Sequence, residues 1–600
     1  MRNVVQLAIT VAASLVSVAS AQTWVSTATK ALPLANATEL GALNSATPLH
    51  VVVGLRMQNA ALVQPTLKRM LRPGDPLYGT SLTVAQFVDQ FGPTTAQVEA
   101  VENYLSSYGF KNLAVSDNRL LVEADGTAAE VETAFNTSLA SFTQKGKTIF
   151  ANIRDAQVPA SLSNTVVAVL GLNNISALHP DIFKYTDPCT APACPTPDPS
   201  NEVYGAQQYQ IAYDAAYPGA TPTATNLKQK VSEGCGTAIG IITEGDLGKV
   251  SPKSPNGPGN PSASSTGVIH DLYLYEQLYK LPASPVTLEY AGIASPDTSG
   301  ADEWDLDTQT STGIAQQVKA LYLYVATSLT DSDIGLAINK AVSQNKVKAF
   351  NMSFGECEFF PYIDGAMLLD DEMFGEAALQ GMTAFASADD NGSACPVLPT
   401  NGVPLSGPPS VSYPASSPYV IAVGGTNLLT NTNFTYDYEI AWEGGGGGVS
   451  GFETSPFWQS YTGSGTLPIV PSAEAGYRGV PDVAMCAGGT GLAICSANIY
   501  VGGTTELVGG TSLSSPLSVG SWARIESSHG NKLGFAGPLI YQLANGGGTA
   551  PSVPSSPYFN DVTLGANGYG VALPGYDYTT GIGSWDIYVV NKQIPSSYPH

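Results

Sequence analysis

Residues 367–387 read MLLDDEMFGEAALQGMTAFAS and join two kinds of hydrophobic pattern. The first part, Met367–Leu379, has apolar residues at helical spacing. The second part, Met382–Ser387, is apolar at successive positions, which is typical of a strand buried on both faces. A helix that leads directly into such a strand indicates a parallel sheet covered by helices on both sides.

The same alternation extends over the chain from about residue 204 onward. Further buried strands are predicted at Ala238–Thr243, Val347–Phe354 and Val420–Val423, and further helices at Gln317–Val325 and Ile334–Val342. The predicted fold class is therefore α/β. In such folds ligands bind at the carboxyl ends of the strands, so polar residues that follow a strand are candidates for a site.

The N-terminal part has a different pattern. Residues 22–185 mix predicted strands (Pro48–Leu55, Leu120–Ala124) with predicted helices (Val84–Phe91, Thr95–Tyr108, Ala128–Phe135) and form an α+β unit. Thr94 and Gln97 match a capping box at the start of the second helix. Five prolines within residues 187–200 then predict a semi-rigid, exposed linker over 186–203 that includes a processing site.

The first 21 residues are typical of an export signal. A positive start is followed by the apolar run Val4–Val18 and by Ala19-Ser20-Ala21, a cleavage site of small residues. We expect a mature chain that begins near Gln22, and no later apolar run is long enough to span a bilayer. Seven cysteines fit an oxidising compartment. Cys486 and Cys495 can close a short loop, but the sequence does not fix the pairing of the seven cysteines.

Composition excludes several classes of partner. The 600 residues predict two or three folded units. Only 12% are charged, and 49 acids outnumber 25 bases, so neither nucleic acid nor an anionic membrane is an expected partner. With few ion pairs, the protein has little to lose when carboxylates are protonated, which fits an acidic environment.

Ser512 is the first candidate for chemistry. It lies in Gly-Gly-Thr-Ser-Leu-Ser-Ser-Pro (residues 509–516), after a predicted strand (Glu506–Val508) and at the start of a predicted helix. Two glycines allow a tight turn, and the N–H groups of the helix start can bind an oxyanion. A serine nucleophile needs a base, and no histidine lies in a partner motif. The alternative is a serine that only caps an ordinary helix.

Glu303 and Asp307 offer a replacement for that histidine. They are four residues apart in Ala-Asp-Glu-Trp-Asp-Leu-Asp (301–307), which places both carboxylates on one face of a helix. Their repulsion raises the pKa of one of them. The alternative is a solvated acidic helix start, which Trp304 and Leu306 between the acids disfavour.

Further acids follow predicted strands or lie in turns. Asp390, in Ala-Asp-Asp-Asn-Gly (388–392), would lie at the carboxyl end of a strand, and an ordinary turn is the alternative. Near the C-terminus, Asp561 and Asp577 together with turn carbonyls make an oxygen cage suited to calcium. Two surface turns are the alternative there, and spacing alone does not decide.

Other motifs fit less well. Asp297-Thr-Ser-Gly300 matches half of an aspartic-protease signature, without the spacing or a second copy. His270 lacks the surroundings of a subtilisin-type base and is interpreted as a helix histidine. His529, which follows two serines, is interpreted as a surface residue.

Taken together, these segments resemble the sedolisin family, the serine-carboxyl peptidases. The resemblance includes Tyr78–Gly92 in the N-terminal unit, Glu303 with Asp307, the segment around Asp390, Ser412–Thr426 and Gly-Thr-Ser512 with Pro516, and it ends with Asp561 and Gly575-Tyr-Asp577. Each motif is weak alone, but their order is specific. The stretch ending at Ser450 and the Phe354–Cys357 motif are similar to the bacterial endopeptidase branch.

The resemblance implies a subtilisin-like parallel sheet flanked by helices (204–600), preceded by a ferredoxin-like activation pro-domain (22–185) that inhibits the enzyme intramolecularly. It implies Ser512 as nucleophile, Glu303 as general base, Asp307 as its orienting acid and Asp390 as oxyanion support. Glu244 would be a carboxylate next to Asp307. One structural Ca²⁺ would be bound by the side chains of Asp561 and Asp577 and the carbonyls of Val562, Leu573 and Gly575.

Two departures from the family pattern matter. Asp389 stands where a glycine usually precedes the oxyanion acid, so Asp389 and Asp390 can be confused. Leu573 stands at another frequent glycine position, which is harmless if only its carbonyl is used.

The expected protein is a secreted, monomeric, acid-acting endopeptidase that is made as a self-processing zymogen and cleaves proteins and peptides. Acid is expected because a carboxylate base has a pKa near 4 and an acid that supports an oxyanion must be protonated. The alternatives are a tripeptidyl aminopeptidase of the same family and an inactive, secreted binding homologue.

Overall fold

The computed structural model describes residues 22–32, 34, 37–144, 146–175, 178–184, 203–219, 227–252, 259–393, 410–461, 468–488, 495–545, 558–568 and 570–594. The predicted signal peptide and nearly all of the predicted linker lie outside these ranges, as do Cys189, Cys194 and Cys395. In the described part of the chain, no helix combines the length and apolar character needed to cross a membrane.

The N-terminal unit contains the three helices predicted from the sequence. Its elements are β1 (Trp24–Ser26), β2 (Thr38–Ala42), β3 (Pro48–Leu55), a 3-10 turn (Ala60–Leu62), α1 (Val63–Met70), α2 (Val84–Gln90), α3 (Thr95–Ser107), β4 (Lys111–Val115), β5 (Leu121–Thr127), α4 (Ala128–Ala134), β6 (Leu139–Gln144), β7 (Lys147–Asn152), β8 (Gln157–Pro159) and β9 (Val166–Leu170). The predicted capping box is present, because Thr94 and Gln97 exchange side-chain and backbone hydrogen bonds.

The sheet of this unit has the strand order β4-β5-β3-β9, with every pair antiparallel. Together with the intervening helices, this order is the predicted ferredoxin-like arrangement. Strand β3 is apolar on both faces for a reason: Val51, Val53 and Leu55 face the core of the unit itself, whereas Val52 joins the core of the C-terminal unit. The sheet therefore serves as both core and docking surface.

The surface of the C-terminal unit that receives this sheet contains two buried acids. Glu372 accepts a hydrogen bond from the backbone N–H of Met57 at 2.8 Å, and Glu376 accepts one from Asn118 Nδ2 at 2.7 Å. Gly365 allows close approach, because a Cβ there would lie 2.8 Å from the Cβ of Ala168. Apolar packing and hydrogen bonds therefore join the two units. The hydrogen bonds are needed because the two buried acids would otherwise lack partners, which is energetically costly.

Two short strands lead out of the N-terminal unit and cross the C-terminal unit. They are β10 (His179–Pro180) and β11 (Phe183–Lys184). Strand β10 pairs antiparallel with residues 354–355, and β11 pairs antiparallel with residues 508–509.

The elements of the C-terminal unit are β12 (Val203–Tyr204), α5 (Ala206–Ala212), β13 (Ala238–Glu244), α6 (Val268–Tyr279), β14 (Val286–Tyr290), α7 (Ala301–Ile314), β15 (Ala320–Ala326), α8 (Asp331–Gln344), β16 (Ala349–Met352), β17 (Phe354–Cys357), α9 (Phe359–Asp364), α10 (Ala366–Leu379), β18 (Thr383–Ser387), β19 (Ser412–Tyr413), β20 (Val420–Thr430), β21 (Tyr436–Ala441), β22 (Gly448–Thr454), a 3-10 turn (Pro471–Ala475), β23 (Tyr477–Val480), β24 (Val483–Cys486), β25 (Ser496–Val501), β26 (Thr504–Gly509), α11 (Thr511–Ser528), α12 (Ala536–Ala544), β27 (Phe559–Asn560), β28 (Ser584–Trp585) and α13 (Ile587–Gln593).

The central sheet has the order β14-β15-β13-β16-β18-β20-β21, and β24 also pairs with β20. All pairs are parallel except that of β20 with β21. Every residue of β13, β16 and β18 is buried, as expected for strands covered on both faces. The predicted α/β architecture, a parallel sheet flanked by helices, is confirmed.

One predicted element is wrong. The segment Gln317–Val325 was expected to be a helix, but Ala320–Ala326 is strand β15, paired in parallel with β13 and β14. Its Ala-Leu-Tyr-Leu-Tyr-Val-Ala sequence is rich in aromatic and branched residues, which favour strands when neighbours are available on both sides. The single strand expected at Val347–Phe354 is likewise two strands, interrupted at Ser353.

Helices α7 and α11 pack against each other in the interior. Gly520 is required at their contact, because a Cβ there would lie 2.6 Å from the carbonyl oxygen of Ser311. The polar residues of α7 are tolerated because several hydroxyls bond back to the preceding turn, such as that of Thr310 to the carbonyl of Leu306. This contact brings the beginnings of both helices to one place.

The predicted short loop is closed by a disulfide between Cys486 and Cys495, whose Cα atoms are 6.2 Å apart. Cys357 is also disulfide-bonded. Cys235 is a free, exposed thiol.

Candidate active site

Ser512 lies in the first turn of α11, directly after the end of β26, and is fully buried. The turn depends on Gly510, whose φ is +101°. A Cβ at Gly510 would lie 2.2 Å from the carbonyl oxygen of Asp181 and 2.5 Å from Asp390 Oδ2. A glycine is therefore needed both for the backbone conformation and for the approach of these two oxygens.

Glu303 and Asp307 are on the first two turns of α7, and both are fully buried. Burial raises the pKa of Glu303 well above its usual range, and the charge of Asp307 raises it further. The neighbouring hydroxyl of Ser512 opposes this rise. In the resting geometry Ser512 Oγ donates instead to the carbonyl oxygen of Ser353 at 3.3 Å, and neither carboxylate oxygen of Glu303 has a hydrogen-bond partner among the described residues.

Asp307 is held by a chain of side chains. Ser353 Oγ donates to Asp307 Oδ1 at 2.6 Å, Asn351 Nδ2 donates to Ser353 Oγ at 2.7 Å, and Ser515 Oγ donates to Asn351 Oδ1 at 2.6 Å. Burial raises the pKa of Asp307 to about 8, against the lowering effect of Ser353 and Asn351. The two acids of α7 are therefore both buried, and Asp307 is held in place by the hydrogen bond from Ser353.

Asp390 follows strand β18 and reaches the start of α11. Its Oδ1 accepts hydrogen bonds from the N–H of Thr511 at 2.7 Å and from Thr511 Oγ1 at 2.9 Å, while Oδ2 has no partner among the described residues. Burial and the nearby Asp181 raise the pKa of Asp390 well above its usual range. The protonated form is thus favoured, and its free oxygen lies on the side of Gly510, where the Asp181 carbonyl is found.

The adjacent acid, Asp389, has a different environment. Its Oδ1 accepts three hydrogen bonds, from the N–H of Asp390 at 2.6 Å and from the N–H and Nδ2 of Asn391 at 3.0 and 2.6 Å. Its φ is +92°, a region that favours glycine. The two neighbouring acids are therefore distinguished by geometry, since Asp390 bonds to the start of α11 and Asp389 bonds to its own turn.

The segment 179–184 occupies the cleft above these residues. Asp181 donates its N–H to the Ser353 carbonyl at 3.5 Å, and its carbonyl oxygen accepts the N–H of Ser512 at 3.1 Å. Lys184, three residues farther on, forms an ion pair with Asp302 at 2.7 Å. The segment is an extended strand on both sides of Asp181, so the Asp181 carbonyl lies where a nucleophile at Ser512 would attack.

Glu244 ends strand β13 and lies near the start of α7. A Cβ at Gly300 would be 2.8 Å from its Oε1. Burial and the charge of Asp297 raise the pKa of Glu244 to about 7. Asp307 accepts its side-chain hydrogen bond from Ser353, and Glu244 lies near Gly300 and Asp297. The role of Glu244 beside Asp307 stays a prediction.

The histidines that were weighed as bases lie elsewhere. His529 follows α11 at its C-terminal end, 17 residues from Ser512, which corresponds to about 25 Å along the helix. His270 is on α6, where its ring packs 6.1 Å from that of Tyr273.

Comparison with known proteins agrees with this geometry. Residues 35–175 match the model of the pro-kumamolisin activation domain, and residues 288–536 match that of the subtilase family. Xanthomonalisin of Xanthomonas sp. (strain T-22) is 35% identical over 609 residues, covering 93% of this chain and 67% of the relative. Sedolisin of Pseudomonas sp. (strain 101) is 36% identical over 572 residues, covering 91% of this chain and 87% of the relative. The chain belongs to the sedolisin family.

A solved structure supports the assignment of the fold. Pseudomonas sedolisin, described as a serine-carboxyl proteinase in complex with two molecules of pseudo-iodotyrostatin, is 32% identical. It aligns with a TM-score of 0.54 and covers 66% of this chain and 98% of that structure. This sedolisin-family chain is a serine-carboxyl peptidase with a subtilisin-like fold, preceded by an activation domain that acts as an intramolecular inhibitor.

The calcium ligands expected in a sedolisin-family chain lie in neighbouring turns. Both oxygens of Asp561 accept the N–H of Gly575, at 3.2 and 3.1 Å, and Asp577 Oδ2 accepts the N–H of Leu573 at 3.0 Å. Burial raises the pKa of Asp561 to about 6, and the charge of Asp577 adds to it. Two carboxylates that repel each other in a turn rich in oxygen atoms fit a hard cation such as Ca²⁺.

Sequence reasoning missed several residues of this sedolisin-type site. They are Asp181, Asn351, Ser353, Ser387, Thr511 and Ser515. Asn351 and Ser353 had a usable signal, because Asn351 lies near the carboxyl end of buried strand β16 and Ser353 directly follows that strand. Asp181 had none, since nothing in its local sequence relates it to Ser512.

Proposed function

We propose that this protein is the precursor of a secreted, acid-acting serine-carboxyl endopeptidase in which Ser512 is the nucleophile. The observation that carries the proposal is the hydrogen bond of 3.1 Å between the N–H of Ser512 and the carbonyl of Asp181. It holds a peptide bond of the chain itself at the proposed nucleophile, and Asp390 Oδ2 lies on the same side of Gly510 as the Asp181 carbonyl.

The proposed reaction begins with attack of Ser512 Oγ on the carbonyl carbon, while Glu303 accepts the hydroxyl proton. The negative charge that develops on the carbonyl oxygen is stabilised by the N–H of Ser512 and by the protonated carboxyl of Asp390. Glu303 then gives its proton to the departing amine, and an acyl-enzyme remains on Ser512. Water, deprotonated by Glu303, releases the acid product, and the serine is restored.

Asp307 is proposed to orient Glu303. Burial raises the pKa of both acids and the two titrate as a pair, so Glu303 acts as base in the molecules whose pair has lost one of its two protons. Activity is expected to fall on the acid side when the pair takes a second proton. It is expected to fall toward neutral pH when Asp390 loses its own proton.

Endopeptidase activity is favoured over tripeptidyl-peptidase activity by the path of the bound segment. A tripeptidyl peptidase must close the cleft three residues before the cleaved bond, to hold a free amine. Here His179 is the third residue before that bond, and Leu178, the fourth, is also seated in a buried position. The cleft thus accommodates a chain that continues beyond the third residue.

Because the Asp181 carbonyl is the one held at Ser512, we propose that the Asp181–Ile182 bond is cut first during self-processing. This bond lies upstream of the linker at 186–203. Further cuts in that linker would release the mature enzyme. We also propose that the protein is secreted and works in an extracellular, acidic environment. It is proposed to be a monomer stabilised by one Ca²⁺, which would be bound by the side chains of Asp561 and Asp577 and by the carbonyls of Val562, Leu573 and Gly575.

The test is acid incubation of the full chain, followed by mass spectrometry. The wild type should lose its N-terminal domain, with a first product that ends at Asp181, whereas Ser512→Ala should remain intact. Ser521→Ala is the matched control, since this hydroxyl on the same helix only bonds back to the Leu517 carbonyl. Identical masses for wild type and Ser512→Ala would favour the inactive binding homologue.

A second assay separates the two peptidase activities. The processed enzyme should cleave an internally quenched peptide whose N-terminus is blocked. Cleavage restricted to peptides with a free amine would show a tripeptidyl peptidase instead.

A further inference from the structure

Asp389 is an unusual residue for its position. Its φ of +92° is a conformation that glycine adopts freely and that other residues adopt at a cost. It is also 4% exposed, so a charged side chain is kept in the interior at a strained position. Such a combination is retained where the side chain itself is used.

The side chain next to Asp389 is that of Asp181. Because the Asp181 carbonyl accepts the N–H of Ser512, the Asp181 side chain fills the pocket for the residue that precedes the cleaved bond. This side chain is fully buried. Ser387 Oγ donates to its Oδ2 at 2.6 Å, and its Oδ1 has no hydrogen-bond partner among the described residues.

The pocket is acidic. Polar atoms of His179, Asp181 and Asp389 lie within 4.8 Å of one another. Burial raises the pKa of Asp181 and the charge of Asp389 raises it further, and the ionised form of Asp181 in turn opposes ionisation of Glu303 and Asp390. Among the charged groups of the described chain that shift the pKa of Asp181, only His179 lowers it, and His179 belongs to the bound segment.

Removal of that segment would leave a pocket with the Asp389 carboxylate and the Ser387 hydroxyl, and no other cation of the described residues shifts the pKa of the group that fills it. Three N–H donors on Oδ1 hold the Asp389 carboxylate in one orientation. A long cationic side chain that enters this pocket gains a charge-assisted hydrogen bond, whereas an ionised acid is repelled.

We propose that Asp389, assisted by Ser387, is a specificity-determining residue that makes the mature enzyme select lysine or arginine immediately before the cleaved bond. The inference rests on the proposed peptidase function and names its substrate class. The zymogen then carries a disfavoured residue, Asp181, at its own first cleavage site.

The experiment uses mature enzyme obtained by acid processing of the full chain. Three N-blocked, internally quenched peptides differ only in the residue before the cleaved bond, which is lysine, leucine or glutamate. The wild type is expected to show a kcat/KM for lysine about tenfold or more above that for leucine, since hydrogen bonds to charged groups have this magnitude. Glutamate is expected to be the poorest substrate above pH 5.

Two variants test the residue. Asp389→Asn removes the charge, and Asp389→Gly also relieves the positive φ, so at least one of them is expected to fold. In both, the ratio of kcat/KM for lysine to that for leucine should fall about tenfold. Asp437→Asn, at an exposed acid on β21, is the matched control and should leave the ratio unchanged.

The outcomes are separable. Cleavage of all peptides with an unchanged lysine-to-leucine ratio in both variants overturns the role of Asp389 and leaves the peptidase function standing. A wild type that prefers leucine or glutamate to lysine also overturns it. Absence of cleavage of every peptide in acid overturns the proposed function and this inference with it.

Discussion

Replacement of Asp181 by asparagine tests whether the charge of one buried side chain controls self-processing. Asparagine has nearly the same size and can still accept the hydrogen bond from Ser387, but it does not ionise. Burial and the neighbouring Asp389 raise the pKa of Asp181 from 3.8 to about 7, against a lowering effect of His179 and Ser387.

The size of the effect follows from that shift. One pKa unit corresponds to about 1.4 kcal/mol, so seating the ionised side chain in the pocket costs about 4 kcal/mol, a factor of about a thousand. Because the pKa of the seated form is raised, the favourable contribution is fully present below pH 3.8 and is lost as the pH rises through about 7. Above that pH the wild-type segment should leave the cleft far more often than the variant.

The assay compares rate constants for the first cleavage in wild type and Asp181→Asn at pH values from 3 to 8. The ratio of variant to wild type removes the part of the pH dependence that both proteins share, and the loss of the Asp181 charge also eases ionisation of Glu303 and Asp390 in the variant. The ratio should be near one below pH 4, rise about tenfold per pH unit and level off at roughly a thousand above pH 7. Asp89→Asn, at an exposed acid of α2, is the control. A ratio that does not change with pH would refute the reasoning.

Three further results are expected. Ser353→Ala removes the donor to Asp307 and should lower kcat about 10- to 100-fold with little change in KM, as measured on a quenched peptide; an unchanged kcat would contradict the orienting role of Asp307. Asp561→Asn, or chelation of Ca²⁺, should lower the melting temperature by about 5 °C, and added Ca²⁺ should restore it only in the wild type. The Ser512→Ala zymogen, which does not process itself, allows the stability of the precursor to be measured against pH. Folding raises the pKa of Asp307 to about 8 and that of Asp181 to about 7, so both groups stabilise the folded state below pH 4 and lose this contribution as the pH rises toward 8. Calorimetry should therefore show a melting temperature that falls between pH 4 and pH 8.

Much of the fold followed from local patterns. Strands such as Ala238–Glu244 are apolar at every position, and a helix such as α10 precedes the next strand, so a covered parallel sheet was predictable. The segment Gln317–Val325 was predicted wrongly because a short apolar run fits both the helical and the strand period. Only the presence of β13 and β14 on its two sides decides in favour of a strand.

The candidate site was predicted in part for a similar reason. Glu303 and Asp307 share a helix, so their spacing of four residues is enough to place both on one face. The approach of Glu303 to Ser512 joins residues about 200 positions apart, and it depends on the close packing of α7 and α11 at Gly520. Glu244 at the end of β13 lies near Gly300 at the start of α7, and its expected role beside Asp307 stays a prediction.

The sequence by itself determined which residues are available for chemistry: a serine on a glycine turn, two acids on one helix face and acids that follow buried strands. These are properties of neighbouring residues, governed by helix and strand periods. Only the tertiary structure decided that Asp181 lies in the cleft, that Ser353 fixes Asp307 and that Asp389 faces the pocket while Asp390 faces the start of α11. Those contacts join segments far apart in the chain, and burial, which depends on the whole fold, sets the pKa values on which the proposed mechanism relies.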